Sequence, residues 1–362
     1  MDERKRWLPR EGLNDYACRK FEVVVDYEIG FTFDVVSRIV RNTLLNPTLT
    51  LPFLLLARYT KKGQELTNDR EGLIKHARIL LYIGLIRVFN GYLNRRVINN
   101  SQTDKYNWND EIVVVTGGSD GIGKHVVNML AMKNVKIAVL DIQPLQYAAP
   151  PNVSYHRCDI TSTKQITEMA SEIRTMVGNP TILVNNAGVC RGKSILDTTD
   201  DDVQFTFDVN TLAHYKLVRE FLPHMIQQNH GMIITVSSLS AYFTVPRLVD
   251  YGSSNAAALC FHEGLAAELA TIHKAPKVRT VLVTPGFTKT GLFTGFGGRM
   301  KNKFFRPELY PQTVAEAIVK QILSGNSGHI ILPESILVGN LRSLPEWLQA
   351  ALRIRGVELM KE

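Results

Sequence analysis

The chain has 362 residues, 42 Lys and Arg against 34 Asp and Glu, a formal charge of +8 at pH 7 and 45% hydrophobic residues. That is enough to bury a sizeable core, and too ordinary a composition for a disordered or fibrous chain. Four scattered cysteines, Cys18, Cys158, Cys190 and Cys260, show neither metal-ligand spacing nor a dense disulfide pattern. Each is expected to be a small buried hydrophobe in a reducing compartment.

The charge is uneven. Residues 1–107 hold 18 Lys and Arg against 12 Asp and Glu, so most of the excess lies there. Basic residues beside apolar stretches point to an anionic membrane surface. Nucleic acid fits less well, because the cations are not interleaved with stacking aromatics. The first 20 residues are charged and contain no apolar core of a cleavable signal peptide. From Asn42 to Ala57 there are 16 residues without a charge, with Arg41 before them and Arg58, Lys61 and Lys62 after. A straight span needs about 20 apolar residues, and Pro47 and Pro52 are expected to break this run. It therefore reads as a hairpin or a segment lying in the interface. A second run, Ile79 to Phe89, has Arg87, Arg95 and Arg96 placed to reach headgroups. The alternative is that both runs are helices packed on the rest of the protein. Ser101 to Trp108 is polar and reads as a linker closing a membrane-associating extension, residues 1–107. Asn99 and Asn152 each begin a glycosylation sequon, which a cytosol-facing domain would leave unmodified.

From Asp110 the pattern changes. The apolar run Glu111 to Val115 leads into Thr116-Gly117-Gly118-Ser119-Asp120-Gly121-Ile122-Gly123, and Lys124 to Ala131 follows with helical spacing. Strand, tight glycine turn and helix together bring backbone and helix N–H groups up to a pyrophosphate. A second strand-like run, Val135 to Leu140, ends in Asp141, where an acidic residue meets the adenosine ribose. Strands are then predicted at Val153–Arg157, Thr181–Val184, Met232–Val236 and Val278–Val283, with an edge strand at Ile330–Leu332. Helices are predicted at Thr161–Val177, Asp200–Gln228, Leu248–Ile272 and Thr313–Leu323. This alternation implies an α/β, Rossmann-type doubly wound parallel sheet over residues 108–333, with ligand loops at the carboxyl ends of the strands. The tail, residues 334–362, is amphipathic between Ile336 and Met360. It would cover a substrate channel, touch a membrane or dock on the core.

The motifs in this order resemble the short-chain dehydrogenase/reductase family, over about Asn109 to Pro333. Thr116-Gly117, Gly121 and Gly123 match its cofactor loop, with Ser119, Asp120 and Ile122 between them. Asp159, beside Ile160, matches the residue that contacts adenine. Asn185-Asn186-Ala187-Gly188 matches a structural turn, and Asn210 the helix asparagine of the active site. Ser238 stands 13 residues before Tyr251, the family's serine–tyrosine separation. Pro285-Gly286, with Thr288 and Thr290, matches the loop at the nicotinamide end. The resemblance implies that Tyr251 exchanges a proton with the substrate oxygen, Ser238 hydrogen-bonds it, and Asn210 holds a water in a proton relay. The family's next position, a lysine four residues after the tyrosine, is here Asn255. Asn255 can still bond the cofactor ribose but brings no charge to lower the tyrosine pKa. Alcohol oxidation is then expected to move to alkaline pH. Asp141 and Asp120 would repel a 2′-phosphate, so NAD is expected over NADP.

The extension and the Leu344-Pro345-Glu346-Trp347-Leu348 tail are most similar to the membrane-associated retinol and 17β-hydroxysteroid dehydrogenase branch. They imply a lipophilic alcohol or carbonyl substrate, consistent with Phe243, Val245, Phe287, Leu292, Phe293 and Phe296 near the site. They also imply a cytosol-facing endoplasmic reticulum or lipid-droplet surface and a homodimer. The rival reading of Asn255 is a dinucleotide-binding pseudoenzyme serving as a sensor or scaffold.

Overall fold

The computed structural model describes residues 32–68, 70–293, 304, 307–334 and 341–356. Expectations that fall on Cys18, Phe296, Ile336, Leu337 and Met360 lie outside these residues. The chain divides into two compact units: one holds Val35–Arg87, the other Thr32–Asp34 and the chain from Val88 onward.

The first unit is helical: α1 (Phe33–Asn42), α2 (Pro47–Tyr59), α3 (Lys61–Thr67) and the larger part of α4 (Glu71–Ile98). Pro47 divides the first apolar run, since α1 ends at Asn42 and α2 begins at Pro47, but Pro52 does not. Asn46 caps α2 by accepting the Thr48 N–H at 3.1 Å, and Pro47 takes the first helical turn, where a missing N–H costs nothing. Pro52 lies inside the helix, which continues through it with one fewer bond. The second run sits within the 28 residues of α4. There Gly84 admits the preceding turn, since a Cβ would stand 2.7 Å from the Leu45 carbonyl oxygen. No helix among the described residues is long and apolar enough to cross a membrane.

The second unit is built on seven parallel strands: β1 (Ile112–Thr116), β2 (Lys136–Asp141), β3 (Val153–Arg157), β4 (Ile182–Asn185), β5 (Met232–Val236), β6 (Arg279–Pro285) and β7 (Gly328–Leu332). Their order is β3-β2-β1-β4-β5-β6-β7, so β7 is an edge as expected. The connections are α5 (Gly121–Ala131), α6 (Thr163–Met176), α7 (Asp200–Phe207), α8 (Ala213–Gln228), α9 (Val249–Thr271) and α10 (Pro311–Leu323); α11 (Glu346–Arg355) follows β7. One face of the sheet packs on α6, α8 and α9 through Leu183, Ile233, Ile173, Leu217 and Leu265. α5 packs against α10. The central strands β1 and β6 are buried along their whole length because helices cover both faces.

The predicted linker is instead a strap on the sheet's amino end. Tyr106 stacks on Trp108 at 5.3 Å and lies 4.6 Å from the His230 ring, and its hydroxyl donates to the Gly231 carbonyl at 2.8 Å. Asp104 and Glu111 hold the two nitrogens of His230 at 2.7 and 3.2 Å. Arg279, 1% exposed, donates to the carbonyls of Asn99 and Gln102. These polar residues look like a linker in sequence because they satisfy a buried arginine and a half-buried histidine rather than an apolar core. The division between the two compact units falls within α4, between Arg87 and Val88. Both sequon amides are engaged: Asn99 donates to the Arg95 carbonyl, and Asn152 to the carbonyls of Ala131 and Val135.

The described cysteines are free thiols. Cys158 is buried as expected, but Cys190 is half-buried and Cys260 is exposed on α9, a helix with too little covering it there to bury every position.

Two buried imidazoles lie between sheet and helices. His262 (α9) pairs with the Thr235 hydroxyl at 3.0 Å, and His214 (α8) has no partner at Nδ1 among the described residues. Burial, then repulsion from a neighbouring imidazole, pushes both down to about 4. The unfolded chain therefore binds protons that the fold refuses between pH 6.5 and about 4. Stability should be full above that window and fall as pH drops through it, by about 3 kcal/mol per histidine. Thermal melts across the window should show the loss, and His214→Phe should remove roughly half of it. Equal acid sensitivity in that variant would refute the assignment.

Candidate active site

The glycine loop crosses the carboxyl ends of β1 and β4, where the strand order reverses. Gly117 has φ of +65°, and a Cβ on it would lie 2.8 Å from Ala187 Cα. A Cβ on Gly123 would run into the Gly117 carbonyl. Thr116 binds the facing turn from beneath, its hydroxyl accepting the N–H groups of Asn186 at 3.0 Å and Ala187 at 3.1 Å. The Asn186 amide donates back to the carbonyls of Thr116 and Gly117, both at 3.1 Å. The result is a backbone cradle at the N-terminus of α5, shaped for a diphosphate.

The cleft above it has a volume of about 510 Å³. It is lined by Gly117, Ser119, Asp120, Gly121, Ile122, Asp141, Asp159, Ile160, Asn186, Ala187, Gly188, Asn210, Ser238, Tyr251, Asn255, Pro285, Gly286, Thr288 and Thr290. Of the predicted catalytic and cofactor-binding residues, Thr116 and Gly123 do not line it, and both act from behind by holding the loop; nor do Phe243, Val245 and Phe287 of the expected apolar set. Asp141 turns its carboxylate to the cleft while accepting the N–H groups of Ser119 and Gln143, both at 3.0 Å. One Asp159 oxygen is held by the Thr161 N–H and hydroxyl.

The long predicted helix is interrupted by a π-turn at Asp208–Leu212. Such a turn widens the helix by one residue and commonly marks a functional site. Its middle residue, Asn210, has a fully engaged amide. Oδ1 accepts the Val189 N–H at 2.8 Å, while Nδ2 donates to the Val189 carbonyl at 2.9 Å and the Ser254 hydroxyl at 3.0 Å. Both side-chain donors are thus used in tying the loop after β4 to α9, so the amide is no water donor.

Tyr251 and Ser238 share one wall. Ser238 caps the short turn Leu239–Ala241, accepting the Ser240 N–H at 3.2 Å. Tyr251 is 7% exposed, packed with Val245 and Leu248 and flanked by Cys190, Phe243, Leu292 and Phe293. Phe293 stands edge-on to its ring at 5.9 Å, and Phe287 lies 5.2 Å from Phe293. Burial pushes the Tyr251 phenol up to about 12, with Ser238 and Asn255 pulling the other way and Cys190 adding to the rise. Asn255 donates its amide to the Tyr251 carbonyl at 2.8 Å, one turn back along its own helix.

The C-terminal segment covers this wall from outside. Arg342 donates to the carbonyls of Ala241 and Tyr242, both at 3.0 Å; Arg353 of α11 lies 5.2 Å over the Phe243 ring, and Gly356 packs on Val245. Sequence reading missed Val189, Phe205 and Val209 in the cleft. Val189 immediately follows the Asn-Asn-Ala-Gly turn, and that adjacency was the available signal.

A dinucleotide cradle joined to a serine and a buried tyrosine defines an oxidoreductase acting on CH–OH groups. The chain belongs to the short-chain dehydrogenase family, whose model matches residues 111–298. Dehydrogenase RED2 of Cochliobolus heterostrophus is 40% identical over 207 residues, 56% of this chain and 78% of that one. Estradiol 17-beta-dehydrogenase 11 of Mus musculus is 34% identical over 259 residues, 68% of this chain and 83% of that one. Among solved structures, ligand-free aldohexose dehydrogenase of Thermoplasma acidophilum shares the fold, with a TM-score of 0.54 at 22% identity over 62% of this chain and 93% of that one.

Gly123→Ala should push α5 off the cradle and weaken dinucleotide affinity about ten- to a hundredfold, as overpacking of 1–3 kcal/mol implies. NADH fluorescence titration measures this, with circular dichroism to confirm folding. Unchanged affinity would mean that the cradle yields and that the close approach is not needed.

Proposed function

We propose that this protein is an NAD-linked oxidoreductase of a lipophilic alcohol or carbonyl, working at a lipid surface. The observation that carries the reading is the pairing of Ser238 and Tyr251 on one wall of the cleft, backed by a buried apolar cluster. The bound nicotinamide supplies or accepts the hydride. The protein's own part is the proton and the oxygen. In reduction the Tyr251 hydroxyl gives its proton to the carbonyl oxygen while the Ser238 hydroxyl bonds that oxygen and steadies its charge. In oxidation the Tyr251 phenolate takes the proton back. Asn210 keeps α9 and the loop after β4 in register by its bonds to Ser254 and Val189. Asp141 and Asp120 at the rim favour an unphosphorylated ribose over one bearing a 2′-phosphate.

A phenol at about 12 leaves about one site in a hundred thousand ionised at pH 7. Reduction uses the abundant neutral form. Oxidation by the wild type should climb about tenfold per pH unit through the alkaline range without a plateau. Asn255→Lys should bring that plateau to lower pH, and Tyr251→Phe should cost about 10²- to 10⁴-fold in either direction. The assay is NADH consumption and formation with retinoid, steroid and fatty carbonyl–alcohol pairs. A silent wild type with an active Asn255→Lys would sink the enzyme reading and leave a dinucleotide-binding protein.

The lipid surface is supported by the apolar residues that α2 and α4 leave exposed, among them Leu56 at 59%, Ile86 at 68% and Phe89 at 62%, with Arg58, Lys61 and Lys62 following the first in sequence and Arg87 beside the others. A cytosol-facing reticulum or lipid-droplet surface also suits the free thiols. A homodimer is supported by Leu212, Tyr215 and Val249, exposed where α8 and α9 begin. The relative named for estradiol favours a steroid-like or similarly apolar substrate. Leu56→Asp with Ile86→Asp should leave the catalytic unit folded and abolish co-flotation with anionic phospholipid vesicles. Undiminished flotation would count against the helical extension as the contact.

A further inference from the structure

The outer end of the sheet carries a side-chain constellation that the dinucleotide site does not use. β3 is an edge strand, and alternation along it places Ser154 and His156 on one face, two residues apart. There they meet Glu172 of α6. The Ser154 hydroxyl oxygen lies 3.0 Å from His156 Nε2, and His156 Nδ1 lies 3.1 Å from a Glu172 carboxylate oxygen. None of the three lines the cofactor cleft. The imidazole is 3% exposed and the carboxylate 44%. Ser154 is half-buried, so its hydroxyl is reachable while its basic neighbour is screened from water.

Donor and acceptor roles in this chain of groups are fixed by their chemistry. A carboxylate only accepts, so the proton of the neutral imidazole sits on Nδ1, facing Glu172. Nε2 is left to accept, and the Ser154 hydroxyl donates to it. The other acceptor of that hydroxyl, the Ile137 carbonyl, is farther away at 3.3 Å. Nucleophile, base and orienting carboxylate thus stand in the order and at the separations of a hydrolase triad. The backbone adds a donor. The Asn152 carbonyl accepts the Ile137 N–H at 2.9 Å, and the Cys158 N–H donates to the Asp141 carbonyl at 3.0 Å, so the even-numbered residues of β3 turn their backbone groups to β2. The N–H of Tyr155, next to the serine, therefore points out from the sheet edge. An N–H one residue after the nucleophile is the kind of donor a developing oxyanion needs.

We propose that Ser154 is a nucleophile toward activated acyl esters, with His156 as its base and Glu172 as a positioning residue. Ser154 Oγ bonds the acyl carbon, and the bond from that carbon to the leaving oxygen breaks. The hydroxyl proton passes through His156 Nε2 to the leaving group. Water then attacks the acyl-serine, one of its protons returns through Nε2 to Ser154 Oγ, and the carboxylic acid departs. The net reaction is ester hydrolysis, with no redox change. It needs no dinucleotide, so it stands or falls apart from the oxidoreductase reading.

The test treats the full-length, detergent-solubilised protein with an alkyl fluorophosphonate, which phosphonylates activated serines with loss of fluoride, and with p-nitrophenyl acetate. Peptide mass spectrometry of the wild type should place a single phosphonyl group on Ser154, and release of p-nitrophenolate should begin with a burst of about one equivalent per chain. Ser154→Ala should abolish both. His156→Gln should slow phosphonylation about 10²- to 10⁴-fold, as loss of a general base does. Glu172→Gln keeps the side chain's shape at a half-exposed position but removes its charge, and should slow phosphonylation about tenfold or more. Circular dichroism checks the fold of each variant, and the mapping on the wild type needs no variant at all. A wild type left unmodified at Ser154, or modified elsewhere instead, overturns the proposal. So does phosphonylation of Ser154 that proceeds at the same rate in folded His156→Gln or Glu172→Gln, because the serine would then be reacting without its neighbours.

Discussion

The catalytic unit depends on how closely two stretches of backbone approach where β1 and β4 end. Gly117 and Ala187 come within a distance that admits no side chain at position 117, and Gly123 rests against the Gly117 carbonyl. Thr116 and Asn186 fasten the approach with four hydrogen bonds between them and the neighbouring backbone. Because the sheet order reverses at this point, the two loops diverge and leave a crevice. The crevice is thus a product of topology, and the glycines and the Thr–Asn pair keep its floor thin enough for backbone N–H groups to face a ligand. Other cleft residues arrive from the ends of β2, β3, β5 and β6, because parallel strands all finish on one side, while Asn210, Tyr251 and Asn255 come from the π-turn and α9.

The reacting end is set by a second constraint, the widened turn at Asp208–Leu212. It moves Asn210 out of helical register, so one amide can bond the loop after β4 and the serine that precedes Asn255 on α9. The elements bearing the cleft wall and Tyr251 are therefore connected through a single side chain. The Ser254 hydroxyl also donates to the Tyr251 carbonyl at 2.9 Å. Bonds of this kind hold the tyrosine's backbone, while its phenol is left in an apolar setting with a serine and an amide for company. That setting explains the raised proton affinity of the phenol.

The strap shows how polar sequence misleads. Ser101 to Trp108 reads as a linker because its residues are hydrophilic, yet Tyr106, Asp104 and the carbonyl of Gln102 serve the half-buried His230 and the buried Arg279, more than 120 residues away. Periodicity sees apolar faces and is blind to polar groups that are buried because they are paired. Cys260 misleads in the opposite sense, since a residue type commonly found inside stands here on an uncovered helix face.

The alternation of apolar runs with helical spacing was sufficient to specify seven strands and the helices between them, because period and burial are local properties. The glycine spacing, Asp141, and the Ser238–Tyr251 separation were legible for the same reason: each is a short motif whose geometry is imposed by one turn or one helix. Other features depended on the folded chain. They include the occupation of both Asn210 donors, the Asn255 amide turning back to the Tyr251 carbonyl, and the covering of Phe243 and Val245 by the C-terminal segment. Each depends on which distant residues become neighbours. Hydrogen bonding and charge act over a few ångströms in space whatever the separation along the chain, so only the tertiary structure could decide them.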